Sequence, residues 1–270
     1  MNISFSWVGD KRRKLSVSVL ISILCIVATS GCSESPKGPL EQLQAQAEYR
    51  DWKIYRHDRV NVLYPEGHPQ EPYFESICEG YLISANRIAR SLGMPPFEDT
   101  LHVVFYSGFG QGRELSGKHW PFVEKGVIHY WRPAFIGVTL ADFMAQRWSP
   151  VWPSRDIFHH GLRTLLDFSG QNYHQRTDLL MDSNLFVPLA DLALSPRFVS
   201  DSERVYSAEA ASFVAYLLAA HGAEKFRNLY EAQGPFDSVV SEITGVGVDT
   251  LETHWLEFVK INLPGDTAAR

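Results

Sequence analysis

The chain has 270 residues, of which 45% are hydrophobic and 21% are charged, and its formal net charge is −6 at pH 7. A chain of this length and composition can bury a sizeable core, as one large domain or two small ones. Its acidic balance argues against nucleic acid as a partner, because sequence-independent binding of nucleic acid depends on clustered lysine and arginine.

The first 31 residues have the composition of an export signal. A positive cluster at residues 11–14 precedes an apolar run over residues 15–28. This run has about 14 residues, fewer than the roughly 20 that span a bilayer core, so it does not predict a membrane-spanning helix. We predict a cleaved secretory signal peptide over 1–31, with an uncleaved amphipathic anchor helix as the alternative.

The end of this segment reads Thr29-Ser30-Gly31-Cys32, which resembles the lipobox of bacterial lipoproteins. In that family the cysteine thiol receives a diacylglycerol and the preceding peptide is removed. The resemblance therefore implies lipidation of Cys32 and a membrane partner through the lipid anchor. Ser33 follows the cysteine, and resemblance to lipoprotein sorting in Gram-negative bacteria favours the outer membrane, facing the periplasm. Loss of residues 1–31 makes the net charge −9.

The next two parts of the chain are a tether and a region of strands. Residues 32–50 hold the lipidated cysteine and many polar residues, and they are predicted to form a tether. Within 51–138, alternation predicts strands over 52–57 and 59–64, and helical spacing predicts a helix over 71–92. Further predicted elements are a buried strand over 100–106, a glycine-rich loop over 107–117, and strands over 126–131 and 134–138.

The following part, residues 139–263, is predicted to be helical. The expected helices cover 139–148, 154–168, 185–194, 205–221, 223–233, 236–244 and 248–262, and residues 264–270 form a tail. Because the strands come first and the helices later, the predicted fold class is α+β, with a small N-terminal sheet followed by a mostly helical body. Cys78, within an apolar helical stretch, is predicted to be a buried structural thiol.

The helical part contains several short motifs in a fixed order. Residues 212–217 read Ser-Phe-Val-Ala-Tyr-Leu, residues 222–225 read Gly-Ala-Glu-Lys, and residues 251–255 read Leu-Glu-Thr-His-Trp. In this order they resemble the gluzincin-like (peptidase MA-like) metallopeptidases, the zinc peptidases that include the M1-type catalytic domain. The resemblance covers roughly residues 52–262 and implies a gluzincin-like fold for the body.

The zinc-binding positions of that family are not matched. The family carries His-Glu-x-x-His on one helix and a ligand glutamate on the next. If Asp142 occupies the position of the general-base glutamate, Ala141 and Ala145 occupy the two histidine positions, and His160 replaces the ligand glutamate. Catalytic zinc needs about three protein ligands, and alanine offers no lone pair. The resemblance therefore implies a peptidase-like scaffold without zinc, without another cofactor and without peptidase activity.

A relocated metal site is the alternative to a scaffold without metal. Its candidate ligands are His119, His129, His159, His160 and Asp142. The candidate cleft residues are Asp142, His159, His160 and Tyr206, the last at the position of the family's transition-state tyrosine. Four tryptophans crowd the same region and are predicted either to line a groove or to pack in the core: Trp120, Trp131, Trp148 and Trp152.

These features together predict a lipid-anchored protein of the bacterial cell envelope. Its zinc-less, peptidase-like domain is expected to bind a peptide, a protein or an envelope polymer without turnover. The first alternative is an atypical metal-dependent peptidase or hydrolase with a relocated His/Asp site. The second is a structural envelope lipoprotein that has no ligand.

Overall fold

The computed structural model describes residues 38–131, 136–194 and 203–263. The predicted signal peptide over 1–31, the predicted lipidation site Cys32 and the predicted tail over 264–270 lie outside the described residues. Within the described ranges, no helix combines the length and the apolar character that crossing a bilayer requires. The predicted α+β class is confirmed at the level of a mixed α/β fold, since one five-stranded sheet is combined with ten helices in the part of the chain that is described.

All the strands of the described residues belong to one mixed sheet in the order β1-β2-β3-β5-β4. Their bounds are Lys53–His57 (β1), Val60–Tyr64 (β2), Leu101–Phe105 (β3), Phe122–Glu124 (β4) and Val127–Tyr130 (β5). The three central strands, β2, β3 and β5, run parallel to one another. The outer strands β1 and β4 are each antiparallel to their single neighbour, so β4 is an edge strand.

Seven helices follow the last strand in the described residues. Three others come earlier, one before the first strand and two between strands. Their bounds are Pro39–Gln44 (α1), Phe74–Ser91 (α2), Phe109–Ser116 (α3), Ile136–Trp148 (α4), Asp156–Leu165 (α5), Tyr173–Asp182 (α6), Leu189–Leu194 (α7), Glu203–Glu231 (α8), Phe236–Thr244 (α9) and Val248–Ile261 (α10). The long α8 leaves helical geometry at Gly222, whose φ of 80° is the left-handed conformation that glycine adopts without strain. This break divides α8 at the glycine that was predicted to end a helix.

The side chains of the central strands alternate between two cores, as the two-residue period of a strand requires. On β3, Leu101, Val103 and Phe105 pack into the larger cluster, which also contains the buried faces of α2, α4, α5, α8 and α10. Val104 points to the opposite face and joins a smaller cluster with Tyr106 and Trp131. The sheet is therefore covered on both faces, and the helical body lies on the first.

Residues 38–50, which fall in the segment predicted as a tether, pack against the second face of the sheet. Leu40 on α1 and Tyr49 in a short 3-10 turn are both buried in the smaller cluster. The Tyr49 hydroxyl is 3.0 Å from the hydroxyl of Tyr106, which follows β3. From Gly38 onward the chain is therefore part of the folded body.

Two predicted elements are corrected by the structure. Residues 109–116 of the expected glycine-rich loop form α3, because Gly112 serves packing rather than a turn. A Cβ atom there would lie 2.6 Å from Cδ2 of Trp131, so only glycine lets the helix approach this ring. Residues 136–138 of the strand expected over 134–138 are the first turn of α4, and residues 134–135 lie outside the described ranges. The sequence patterns did not predict β4 or α6.

Candidate functional site

A cavity of about 700 Å³ opens between the segment that leads into β4 and the helices α4 and α5. The segment before and within β4 contributes its first wall, residues 118–123. The second wall comes from α4, the loop before α5, α5 itself and the start of α8. Its lining residues outside 118–123 are Val138, Asp142, Gln146, Trp152, His159, His160, Arg163, Thr164 and Ser207. We call this cavity the cleft.

The face that α4 turns toward the cleft carries Val138, Asp142 and Gln146, which are four residues apart and therefore lie above one another. Ala141 and Ala145, the alanines predicted to replace the zinc-ligating histidines, are instead buried in the larger core cluster. Neighbouring residues of a helix point about 100° apart, which explains why Asp142 faces the cleft while Ala141 does not. The cleft-facing pair of α4 is thus one carboxylate and one amide.

The helix α5 brings two histidines and an arginine to the cleft. It lies close against α8 at Gly161, where a Cβ atom would overlap the carbonyl oxygen of Ala210 and approach Cγ2 of Val214 to 2.7 Å. At its N-terminal end, the Ser154 hydroxyl donates to the carbonyl of Ala232 at 2.7 Å. These contacts hold α5 firmly, so the positions of its cleft residues are set by packing.

Asp142 is the centre of a small charged cluster at the base of the cleft. Its Oδ1 lies 3.3 Å from Nε2 of His159 and 3.5 Å from Nε of Arg163. Nδ1 of the same histidine is 3.1 Å from the hydroxyl of Tyr230 on α8. Burial, together with the nearby charge of Asp142, raises the pKa of Tyr230, which therefore stays a neutral phenol. The cluster links α4, α5 and α8.

His160 occupies a different environment from its neighbour. It is half-buried in the cleft wall, whereas His159 is buried. Burial lowers the pKa of His160 to about 4, and the charges of Arg163 and His159 lower it further than the charge of Asp142 raises it. The His160 imidazole is therefore neutral at physiological pH.

The four tryptophans divide evenly between the two predicted roles. Trp131 and Trp148 are buried in the two core clusters. Trp120 and Trp152 line the cleft and leave 65% and 59% of their surfaces exposed. The Trp152 ring packs against that of His159 at an interplanar angle of 42°, with 4.3 Å between the ring centroids. The cleft therefore presents two accessible indole rings.

No protein-family model and no curated protein matches this chain. The residues of the cleft are therefore the basis for inferring its chemistry.

Among the cleft donors that the structure describes, no three bring their ligand atoms within 4.8 Å of one another. Among the described residues, the group of three whose ligand atoms all lie within 4.8 Å of one another is His57, Glu75 and Glu79. This group lies on β1 and α2, at the opposite edge of the sheet from β4. Asp142, His159 and His160 do not form such a group, and catalytic zinc requires about three converging ligands.

The remaining predicted site residues lie beside the cleft or away from it. Tyr206 is half-buried and packs against the larger core, and its neighbour Ser207 lines the cleft. His119 lines the cleft and is exposed. His129 is buried on the other face of the sheet, where its Nδ1 lies 2.8 Å from the Tyr106 hydroxyl and burial lowers its pKa to about 4. Arg163 and Lys118 were missed by the sequence patterns, because no motif distinguishes a cleft cation from a surface one.

Proposed function

We propose that this chain is a lipid-anchored binding protein of the bacterial cell envelope, whose cleft holds a peptide segment without cleaving it. The observation that carries the proposal is the exposure of Trp120 and Trp152 toward one cavity. Large exposed aromatic side chains converging on a pocket are typical of binding sites, since they supply apolar area and, through the indole N–H, a hydrogen-bond donor. Two such rings in one cleft favour a ligand over a purely structural role.

The edge of the sheet supports a peptide as that ligand. β4 pairs with β5 on one side only, and two of its residues, Phe122 and Val123, line the cleft. An edge strand presents unpaired backbone N–H and C=O groups that an extended chain can satisfy by adding another strand. An extended peptide in the cleft would therefore meet backbone hydrogen bonds on one wall and indole rings on both.

A gluzincin-like scaffold is part of the proposal. The helix predicted to carry the metal motif, α4, and the helix predicted to carry the third ligand, α5, both line the cleft. The fact that α4 and α5 line the same cleft supports the resemblance found in the sequence. The sheet also precedes both helices in the chain, as in the family. The donor set at the cleft does not suit zinc, so the proposed function includes no hydrolysis and no metal. The proposed location at the outer membrane rests on Cys32 and Ser33.

Peptide selection tests the binding function directly. The full chain, held in detergent micelles, is immobilised and used to select binders from a library of random dodecapeptides. We expect enriched peptides whose binding is lost in Trp152→Ala. Phe109→Ala is the matched control, because Phe109 is also a large exposed aromatic residue but lies on α3, outside the cleft. Selected peptides that bind Trp152→Ala as tightly as the wild type would place binding elsewhere and contradict the proposal.

A hydrolysis assay with added zinc tests the alternative function. The selected peptides and unfolded casein are incubated with the full chain and zinc, and the products are examined by mass spectrometry. We expect no cleavage above the protein-free control. Cleavage that disappears in His160→Ala, but persists in His57→Ala at the separate histidine–glutamate group, would establish a relocated catalytic metal site in the cleft.

A further inference from the structure

The cleft is positively charged, although the chain as a whole is acidic with a net charge of −6. Its lining contains two permanent cations, Lys118 and Arg163, and a single carboxylate, Asp142. Oδ1 of this carboxylate lies 3.3 Å from Nε2 of His159 and 3.5 Å from Nε of Arg163, and the permanent ions of the lining leave an excess of one positive charge. A cavity with an excess of one sign of charge concentrates ligands of the opposite sign.

Arg163 retains unused hydrogen-bonding capacity. Only its Nε faces Asp142, at 3.5 Å, and its guanidinium makes no hydrogen bond within the described residues. About a quarter of its side chain, 27%, is exposed. The two terminal nitrogens of a guanidinium form a planar fork that binds a carboxylate through two parallel hydrogen bonds. Arg163 is therefore positioned to receive an anion from the cleft side.

Lys118 supplies the second cation from the first wall. It is exposed, and its ammonium group lies 5.9 Å from the centroid of the Phe122 ring. No carboxylate of the described residues pairs with it. His160 adds no further positive charge, because burial and the charge of Arg163 lower its pKa to about 4. Each wall of the cleft therefore carries one cation. Lys118 forms no ion pair with a described residue, and Arg163 faces Asp142 through Nε alone.

We infer that the cleft selects an extended peptide segment with acidic side chains, whose carboxylates pair with Arg163 and Lys118 while a neighbouring apolar residue packs on Trp152. This inference rests on the proposed peptide-binding function and adds the class of ligand. Two cations on different walls fit a segment with more than one glutamate or aspartate better than a single C-terminal carboxylate. β4 is the last strand of the sheet, and strand addition at such an edge accepts an internal segment of a peptide as well as a terminus.

Three matched tetrapeptides test the inference. The acidic probe is acetyl-Glu-Trp-Glu-Val-amide, the neutral probe is acetyl-Gln-Trp-Gln-Val-amide, and the third is acetyl-Gln-Trp-Gln-Val with a free C-terminal carboxylate. Their dissociation constants are measured by NMR titration with the full chain in micelles. We expect the acidic probe to bind at least about tenfold more tightly than the neutral probe, as one charge-assisted pair supplies.

Charge variants identify the residues responsible. Arg163→Gln and Lys118→Gln are each expected to reduce the preference for the acidic probe several-fold. Arg87→Gln on α2 removes the same charge from an exposed site outside the cleft, and it is expected to leave the preference unchanged. If Arg163→Gln does not fold, Lys118→Gln still tests the inference, because Lys118 is exposed and forms no ion pair with a described residue.

The outcomes separate failure of the inference from failure of the proposed function. Equal binding of acidic and neutral probes, with both lost in Trp152→Ala, would overturn the acidic preference and leave peptide binding intact. A tenfold preference for the probe with the free C-terminal carboxylate alone would also overturn the inference, in favour of terminus recognition. Binding of no probe, or binding that ignores Trp152→Ala, would overturn both.

Discussion

Oδ1 of Asp142 on α4 lies 3.3 Å from Nε2 of His159 on α5, with 13% and 6% of the two side chains exposed. The contact is not an aligned hydrogen bond, since this buried oxygen makes no hydrogen bond to a described residue. A carboxylate in the place expected for a general base is thus contacted by a histidine and an arginine. The pair fixes the base of the cleft between two helices.

Replacement of Asp142 by asparagine should destabilise the protein. The change keeps the shape of the side chain but leaves the guanidinium of Arg163 without its counter-charge. Removing one partner of a largely buried pair costs about 3 kcal/mol of unfolding free energy, because the remaining charge stays poorly solvated. Urea unfolding of the full chain measures the loss. The matched control is Asp51→Asn in an exposed turn, and an equal effect in the two variants would contradict the expectation.

Gly161→Ala should destabilise the protein and weaken peptide binding together. The added methyl group would overlap the backbone carbonyl of Ala210, so α5 must move away from α8 and carry His159 and Arg163 with it. Overpacking of this kind costs about 1–3 kcal/mol. Gly80→Ala on α2 is the matched control, since no atom lies within 4 Å of its added methyl and alanine favours a helix. Thermal unfolding and titration with a selected peptide report the two effects.

Glu209→Gln should change how stability depends on pH. Glu209 on α8 is fully buried, with Oε1 accepting from the amide of Val187 at 2.9 Å, and burial raises its pKa to about 8. Between the ordinary carboxyl pKa of 4.5 and about 8 the folded protein binds more protons than the unfolded chain, so its stability falls as pH rises. The glutamine variant lacks this dependence, and the wild type should lose stability relative to it from pH 5 to pH 8.

The measurement for Glu209 is a series of urea unfolding curves at several pH values. Histidines with lowered pKa values, such as His129 and His160, titrate in wild type and variant alike, so their contribution cancels in the difference. Glu257→Gln on the exposed surface of α10 should give curves parallel to the wild type. A constant difference between wild type and Glu209→Gln across this range would show that Glu209 is ionised when folded.

Cys32→Ala should abolish membrane association. If Cys32 carries the lipid, its replacement removes the acceptor thiol, and the lipid-dependent mass increase disappears. Expression in a Gram-negative host, membrane fractionation and intact-mass measurement test this. Cys25→Ala is the matched control, because Cys25 lies within the predicted signal peptide and should leave lipidation unchanged. A lipidated Cys32→Ala protein in the membrane fraction would rule out the proposed site.

Elements with a strong period were predicted well from the sequence. The β1–β2 hairpin, α2, α9 and α10 lie within a few residues of the predicted bounds, because each buries one regular face. The loop predicted over 107–117 was wrong because glycine is typical both of turns and of close helix packing, and Gly112 serves the second role. Gly112 lets α3 approach the ring of Trp131. This residue is far from Gly112 in the sequence but in contact with it in the folded protein. The short β4 and the largely polar α6 gave no comparable signal.

The sequence by itself determined that α4 carries Asp142, that α5 carries two adjacent histidines, and that neither helix matches a zinc motif. Only the tertiary structure decided which of these side chains meet. Ala141 and Ala145 turn to the core, Asp142 pairs with His159, Trp120 and Trp152 face one cleft, and Arg163 stands there with an unfilled guanidinium fork. The physical reason is that helical period sets which residues share a face, whereas close packing, at Gly161 above all, sets what that face meets.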